Sequence, residues 1–134
     1  MRLQNLIAEL SVRGKCGPDL KMLYEGVRDM DIEVPDREVV DKAVQMLSAA
    51  ANPVRLSILS LIKDVQLPVC AISKLLGIEQ TLVSHHLRSL KEAGLVDVQV
   101  RGRYRIYSIN REGVQELLSL LEELVVPKGV RGRR

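Results

Sequence analysis

The chain has 134 residues, 46% hydrophobic and 28% charged, with no Phe and no Trp. That length holds one domain with an arm or two and argues against a two-domain enzyme, while the balance is too apolar for intrinsic disorder. The formal charge of +3 is unevenly placed, since residues 1–70 hold nine Lys/Arg against ten Asp/Glu and residues 71–134 hold eleven against seven.

The longest stretch free of Lys, Arg, Asp and Glu, Ala43 to Val54, is far short of the ~20 apolar residues a membrane helix needs. Glu9 and Arg13 interrupt the first apolar residues, so no secretory leader is expected and a cytoplasmic location is. Leu3, Leu6, Ile7 and Leu10 recur at helical spacing. Gly14, Gly17 and Pro18 break that pattern before a second expected helix from about Asp19 to Met30. An acidic linker follows (Asp29, Asp31, Glu33, Asp36), and Pro35-Asp36 starts a helix carrying Val40, Ala43, Val44 and Leu47 on one side. Residues 1–35 therefore read as a helical extension, 36–126 as the main domain and 127–134 as a basic tail ending in Arg131, Arg133 and Arg134.

Asn52-Pro53 opens the next helix. Its Val54, Ile58, Leu59, Leu61 and Ile62 are apolar around much of the circumference, which places it centrally in the core. Pro68 at a first helical position and Gly77 at a C-terminal cap bracket a short helix with Ile72, Leu75 and Leu76. From Gln80 to about Ala93, Val83, Leu87 and Leu90 form one stripe at i, i+4 and i+7 that faces inward. The opposite side presents Thr81, Ser84, His85 and Arg88, with Gln80 at the N-terminal edge, whereas His86 falls on the inward side. A short helix, a tight turn and a second helix with a polar outer face have the spacing of a helix-turn-helix. After Gly94 the period becomes two. Val96, Val98 and Val100 alternate with Asp97 and Gln99, Arg101-Gly102 supplies a turn, and Tyr104, Ile106 and Ser108 alternate with Arg103, Arg105 and Tyr107. That hairpin is a wing with an arginine tip. A final amphipathic helix from Arg111 carries Val114, Leu117, Leu118, Leu121 and Leu124.

The segments LSAAANPVRLSILSLI, ISKLLGIEQTLVSHHLRSLKEAGLV and RGRYRIYSI together resemble the arsenical-resistance repressor (ArsR/SmtB) family of dimeric winged-helix regulators over about residues 40–125. The resemblance implies a mainly α fold in the order α-α-α-α-β-β-α with a small β-hairpin wing, in this chain preceded by a helical extension. It implies that the helices around 40–48 and 111–125 make the homodimer interface, through Val40, Ala43, Val44, Leu47, Val114, Leu117, Leu118, Leu121 and Leu124. It also directs attention to a sensor. Many relatives carry Cys-x-Cys before the recognition helix, but in this chain that place reads Pro68-Val69-Cys70, and residues 111–126 contain no His and no Cys. No metal site and no cofactor are therefore expected, and a small effector remains unassigned. Cys16 and Cys70 stand as two unrelated thiols, a redox pair or a thiolate soft-metal site.

The expected partner is double-stranded DNA, with the recognition helix (about 80–93) in the major groove. Base readout is expected from Gln80, Thr81, Ser84 and His85, with Arg88 reaching a guanine edge or a phosphate. Arg101 and Arg103, helped by Tyr104, belong on the backbone or in the minor groove. A two-fold dimer then calls for an inverted-repeat operator, and the resemblance implies a regulator acting as a repressor. Catalysis has no support, because Ser84 and His85 are adjacent on a helix and do not face each other, and no phosphate loop or Cys-x-x-Cys is present. The competing reading is a winged helix used as a non-specific chromatin-type or protein-interaction module.

Overall fold

The computed structural model describes residues 1–12 and 16–129. The chain divides into two compact units, Met1–Pro35 and Asp36–Arg134. In the first, α1 (Leu3–Val12) buries Leu3 and Ile7. The expected second helix is reduced to one turn, α2 (Leu20–Leu23). The reason is long-range: the chain turns at Gly26 and then runs extended, pairing with residues 1–3 through Leu3 N–H to Met30 O (2.7 Å) and Ile32 N–H to Met1 O (2.8 Å). Asp29 locks this return. Its carboxylate accepts from the Gln4 backbone N–H and from Arg2 Nε, and these bonds hold its carboxyl below the usual range.

In the second unit, α3 (Arg37–Ala50) starts where Asp36 accepts from the Glu38 N–H. At the start of α4 (Pro53–Ile62), Asn52 accepts from both the Val54 and Arg55 N–H groups, so two of the helix's orphan donors are satisfied by one side chain. Then come β1 (Leu67–Pro68), α5 (Val69–Leu76), α6 (Gln80–Glu92), β2 (Val96–Arg101), β3 (Tyr104–Ile109) and α7 (Arg111–Val125). The expected helix and hairpin order holds, with one addition. Leu67 and Pro68 pair with Tyr107 and Ile106, making a three-stranded antiparallel sheet in the order β1-β3-β2. Pro68 thus caps α5 from a strand position instead of opening the helix.

The core brings together Met46 and Ala49 of α3, Ile58 and Ile62 of α4, Ile72 of α5, Val83, Leu87 and Leu90 of α6, and Leu95, Val96 and Tyr107 from the sheet side. Each large aliphatic side chain buried there stabilises the fold by about 1.5 to 3 kcal/mol. The α6 stripe therefore clamps the recognition helix to the rest of the domain by its back. At the other end of α6, α7 approaches so closely that a Cβ at Gly113 would lie 1.7 Å from the carbonyl oxygen of Gly94.

The wing turn differs by one residue from the sequence reading. β2 continues through Arg101, which sits opposite Tyr104, so the two turn residues are Gly102 and Arg103. Gly102 has φ +61° while Arg103 does not have a positive φ. This places the glycine first, as the type II′ hairpin requires.

Candidate nucleic-acid interface

Helix α6 presents its polar side as the pattern predicts. Gln80, Thr81, His85 and Arg88 are exposed, Ser84 is half-buried, and His86 is buried on the opposite side. The N-cap position belongs to Glu79, whose side chain caps nothing. The first N–H groups of α6 thus keep the positive end of the helix dipole open to an anion.

On the wing, Arg101, Arg103 and Tyr104 are all exposed. Arg103 donates from Nη2 to the Tyr104 hydroxyl at 3.0 Å, and its guanidinium carbon lies 5.2 Å from the centre of that ring. Arg101 donates to Gln99 Oε1 at 3.1 Å. Both contacts orient the guanidinium groups without neutralising them.

Between helix and wing run two adjoining hollows that share Ser84 and Arg105. One, of about 320 Å³, is lined by Cys70, Gln80, Ser84, Arg103, Tyr104 and Arg105, among others. The other, of about 420 Å³, is lined by Ser84, Arg88, Lys91, Arg105 and Tyr107. Together they make a trough along one flank of α6. It unites five of the eight residues expected to touch DNA (Gln80, Ser84, Arg88, Arg103 and Tyr104). Thr81 and His85 stand on the helix's outer side and Arg101 at the wing's end, outside the lining of either hollow.

Lys91 and Arg105 were not among the expected site residues. Lys91 is seven residues beyond Ser84, two helical turns along the same flank, a spacing that was open to view. Arg105 is explained by register. It pairs with Val100, as Tyr107 does with Val98 and Ile109 with Val96, and directly opposed residues share a face. Arg105 is therefore on the core-facing side of the sheet, at the level where the core has ended and α6 lies across the hollow.

Residues 52–98, which include both helices of the helix-turn-helix, match the model of the bacterial regulatory protein, arsR family. The chain is 31% identical over 122 residues to a Halobacterium salinarum protein named as a putative arsenical resistance operon repressor, ArsR, covering 89% of this chain and 92% of that one. The chain belongs to the arsR family. The family is one of DNA-binding transcription regulators, not of enzymes. Over 83 residues it is 37% identical to the HTH-type transcriptional regulator NmtR of Mycobacterium tuberculosis, 62% of this chain and 69% of that one. Among solved structures, HlyU of Vibrio cholerae superposes with a TM-score of 0.58 at 32% identity, covering 69% of this chain and all (100%) of that one. The homodimeric winged helix-turn-helix DNA-binding domain Mb0332 of Mycobacterium bovis gives 0.56 at 31% identity, covering 70% and 89%. The fold is thus the winged helix-turn-helix of arsR-family regulators.

The surfaces that the arsR resemblance assigns to dimerisation are sorted by the period of α3. Val44 and Leu47 are 52% and 37% exposed, as is Leu118 of α7 at 41%. Val40, Val114, Leu117, Leu121 and Leu124 are partly buried, and Val114 and Leu117 already pack against the protomer's own core. Ala43 differs from these. It is 2% exposed in the single chain, on the α3 face shared with Met46 and Ala49, and has no surface left for a partner. The two helices meet within one protomer, where Lys42 forms an ion pair with Glu116.

The residues present do not fit the thiolate metal site of arsR relatives. Cys70 is the lone thiol in its segment, and among the described residues no three His, Cys, Asp or Glu side chains come together as metal ligands. Cys16 and Cys70 are both free thiols and both exposed. Among the described residues no helix is long and apolar enough to cross a membrane. Arg131, Arg133 and Arg134 of the basic tail lie outside the described residues.

Proposed function

We propose that the chain is a repressor that binds an inverted-repeat operator as a homodimer, in the cytoplasm, with α6 entering the major groove and the wing on the adjacent backbone or minor groove. The observation that carries this reading is the trough between α6 and β3, open to solvent and lined by polar and cationic side chains. Gln80, Thr81, Ser84 and His85 read base edges, Arg88 serves base or phosphate, and Arg101 and Arg103 hold the backbone, with Tyr104 keeping Arg103 extended. Val44, Leu47 and Leu118, with the partly buried Val40, Leu121 and Leu124, form the dimer seam. A two-fold pair sets its recognition helices about one DNA turn, ~34 Å, apart, hence the inverted repeat.

Gel shifts against the gene's own upstream region and against scrambled DNA, at two salt concentrations, test the proposal. An operator-specific regulator keeps a preference of about 10³ or more. A module that retains the salt dependence but shows no preference is the non-specific winged helix instead. Sedimentation of Val44→Asp and Leu118→Glu variants tests the seam: each is expected to sediment as a monomer where the parent chain is a dimer.

A further inference from the structure

The larger of the two hollows is built differently from its neighbour. Arg88 and Lys91 enter it from the second half of α6 and Arg105 from β3, and no carboxylate is among the residues lining it. Among the described residues none of the three cations has an ion pair. All three are exposed, so the fold keeps like charges together without a protein counter-charge. Such a cluster is stabilised by an anion held between its members, and a guanidinium fork suits phosphate oxygens in particular.

Position along the helix selects which anion. The N-terminal residues of a recognition helix meet base edges, so the later turns, where Arg88 and Lys91 lie, pass beside the sugar-phosphate backbone. We propose that this hollow seats one phosphodiester of the bound duplex, shared by Arg88, Lys91 and Arg105. The inference rests on the DNA reading above and deepens it. The shared phosphate ties wing to helix, so that the two read the duplex as one rigid unit.

Sharing has a thermodynamic signature. The salt slope of binding counts phosphates neutralised, about 0.9 per phosphate on duplex DNA, and not cations supplied. Binding to a mixed-sequence duplex is followed by fluorescence anisotropy between about 50 and 200 mM KCl for the parent chain, Lys91→Gln, Arg105→Gln and the double variant. Each single variant should bind more weakly. The double variant should lose no more than about 0.9 of slope per protomer, the value of one phosphate. Slope losses that add to about 1.8 per protomer would overturn the proposal in favour of separate phosphates, and unchanged affinity and slope would overturn it altogether. A second readout replaces part of the chloride by inorganic phosphate at constant ionic strength. This should weaken the parent chain more than the double variant, and equal weakening in both counts against a seat. Failure of the parent chain to bind DNA in any salt-dependent way would instead remove the DNA reading, before any substitution is made.

Discussion

Arg55 of α4 donates its Nε–H to Nδ1 of the buried His86 at 3.1 Å, while its Nη1 reaches the carbonyl oxygen of Ala49 at 3.4 Å. One guanidinium thus links the end of α3, the start of α4 and the back of the recognition helix. The bond needs an unprotonated Nδ1, so it is made by neutral His86 with its proton on Nε2.

Acid should loosen this link. Burial lowers the pKa of His86 below the usual 6.5, and the positive charges of Arg55 and His85 lower it further. A group with a folded pKa below its unfolded one binds fewer protons when folded. Its contribution to stability is complete above about 6.5 and is lost as pH falls through the lowered folded value. Thermal melts between about pH 4.5 and 8 should show an acid loss in the parent chain. That loss should be smaller in His86→Gln, whose amide oxygen accepts from Arg55 without titrating. An identical acid loss in both chains would mean that other groups, not His86, govern it.

Gly113 offers a packing test away from the site. Any side chain there meets the Gly94 carbonyl oxygen, a backbone atom with no rotamer to yield. Gly113→Ala should therefore push α7 away from the α6–β2 junction and cost about 1 to 3 kcal/mol, as overpacked cores do. For a domain of this size that is a fall in Tm of roughly 4 °C or more. A melting temperature at or above the parent's would show that the turn relaxes freely.

The two contact classes of the interface should separate by mutation. Arg103→Ala should weaken binding to all sequences about equally and lower the salt slope by about 1. Ser84→Ala or Gln80→Ala should cost about 1 to 3 kcal/mol at particular base pairs and leave scrambled DNA little affected. Anisotropy titrations on operator and scrambled duplexes measure both. If all three variants lose affinity alike on both duplexes, the division between readers and holders is wrong.

Much of this interface was legible in the sequence because it obeys local periods. Val83, Leu87 and Leu90 settle which side of α6 is turned in, and the polar residues opposite follow. What was hidden depends on partners distant in the chain. Leu67 and Pro68 carry no period of their own and become a strand only by pairing with Tyr107 and Ile106. Arg105 alternates like any wing residue, and its place over α6 follows from the register that sets it opposite Val100. Likewise Leu20, Met22 and Leu23 look helical as far as Met30, but the bonds from residues 1–3 to Met30 and Ile32 claim the later residues for a return segment that bridges Arg2 and Asp31. Ala43 is buried within the protomer for a related reason. The apolar residues of α3 serve two faces, one inside the protomer and one outside, and composition does not divide them.

Cys70 reports on the trough from within. It is exposed at the start of α5 and lines the hollow that holds Gln80, Ser84, Arg103, Tyr104 and Arg105. A duplex seated there must cover the thiol. Maleimide labelling of Cys70 should therefore slow about tenfold when DNA is present at about ten times its Kd, in proportion to the fraction left unbound. Cys16, also exposed, is replaced by Ser in the protein used, so that the rate measured is that of Cys70 alone. The converse should also hold. Protein labelled at Cys70 with a bulky maleimide should bind DNA weakly, while Cys70→Ser, which keeps the size of the side chain, should bind like the parent. Undiminished labelling of Cys70 in a saturated complex would place the duplex elsewhere on the domain, and Ser84 and the wing arginines would then lose their part in binding it.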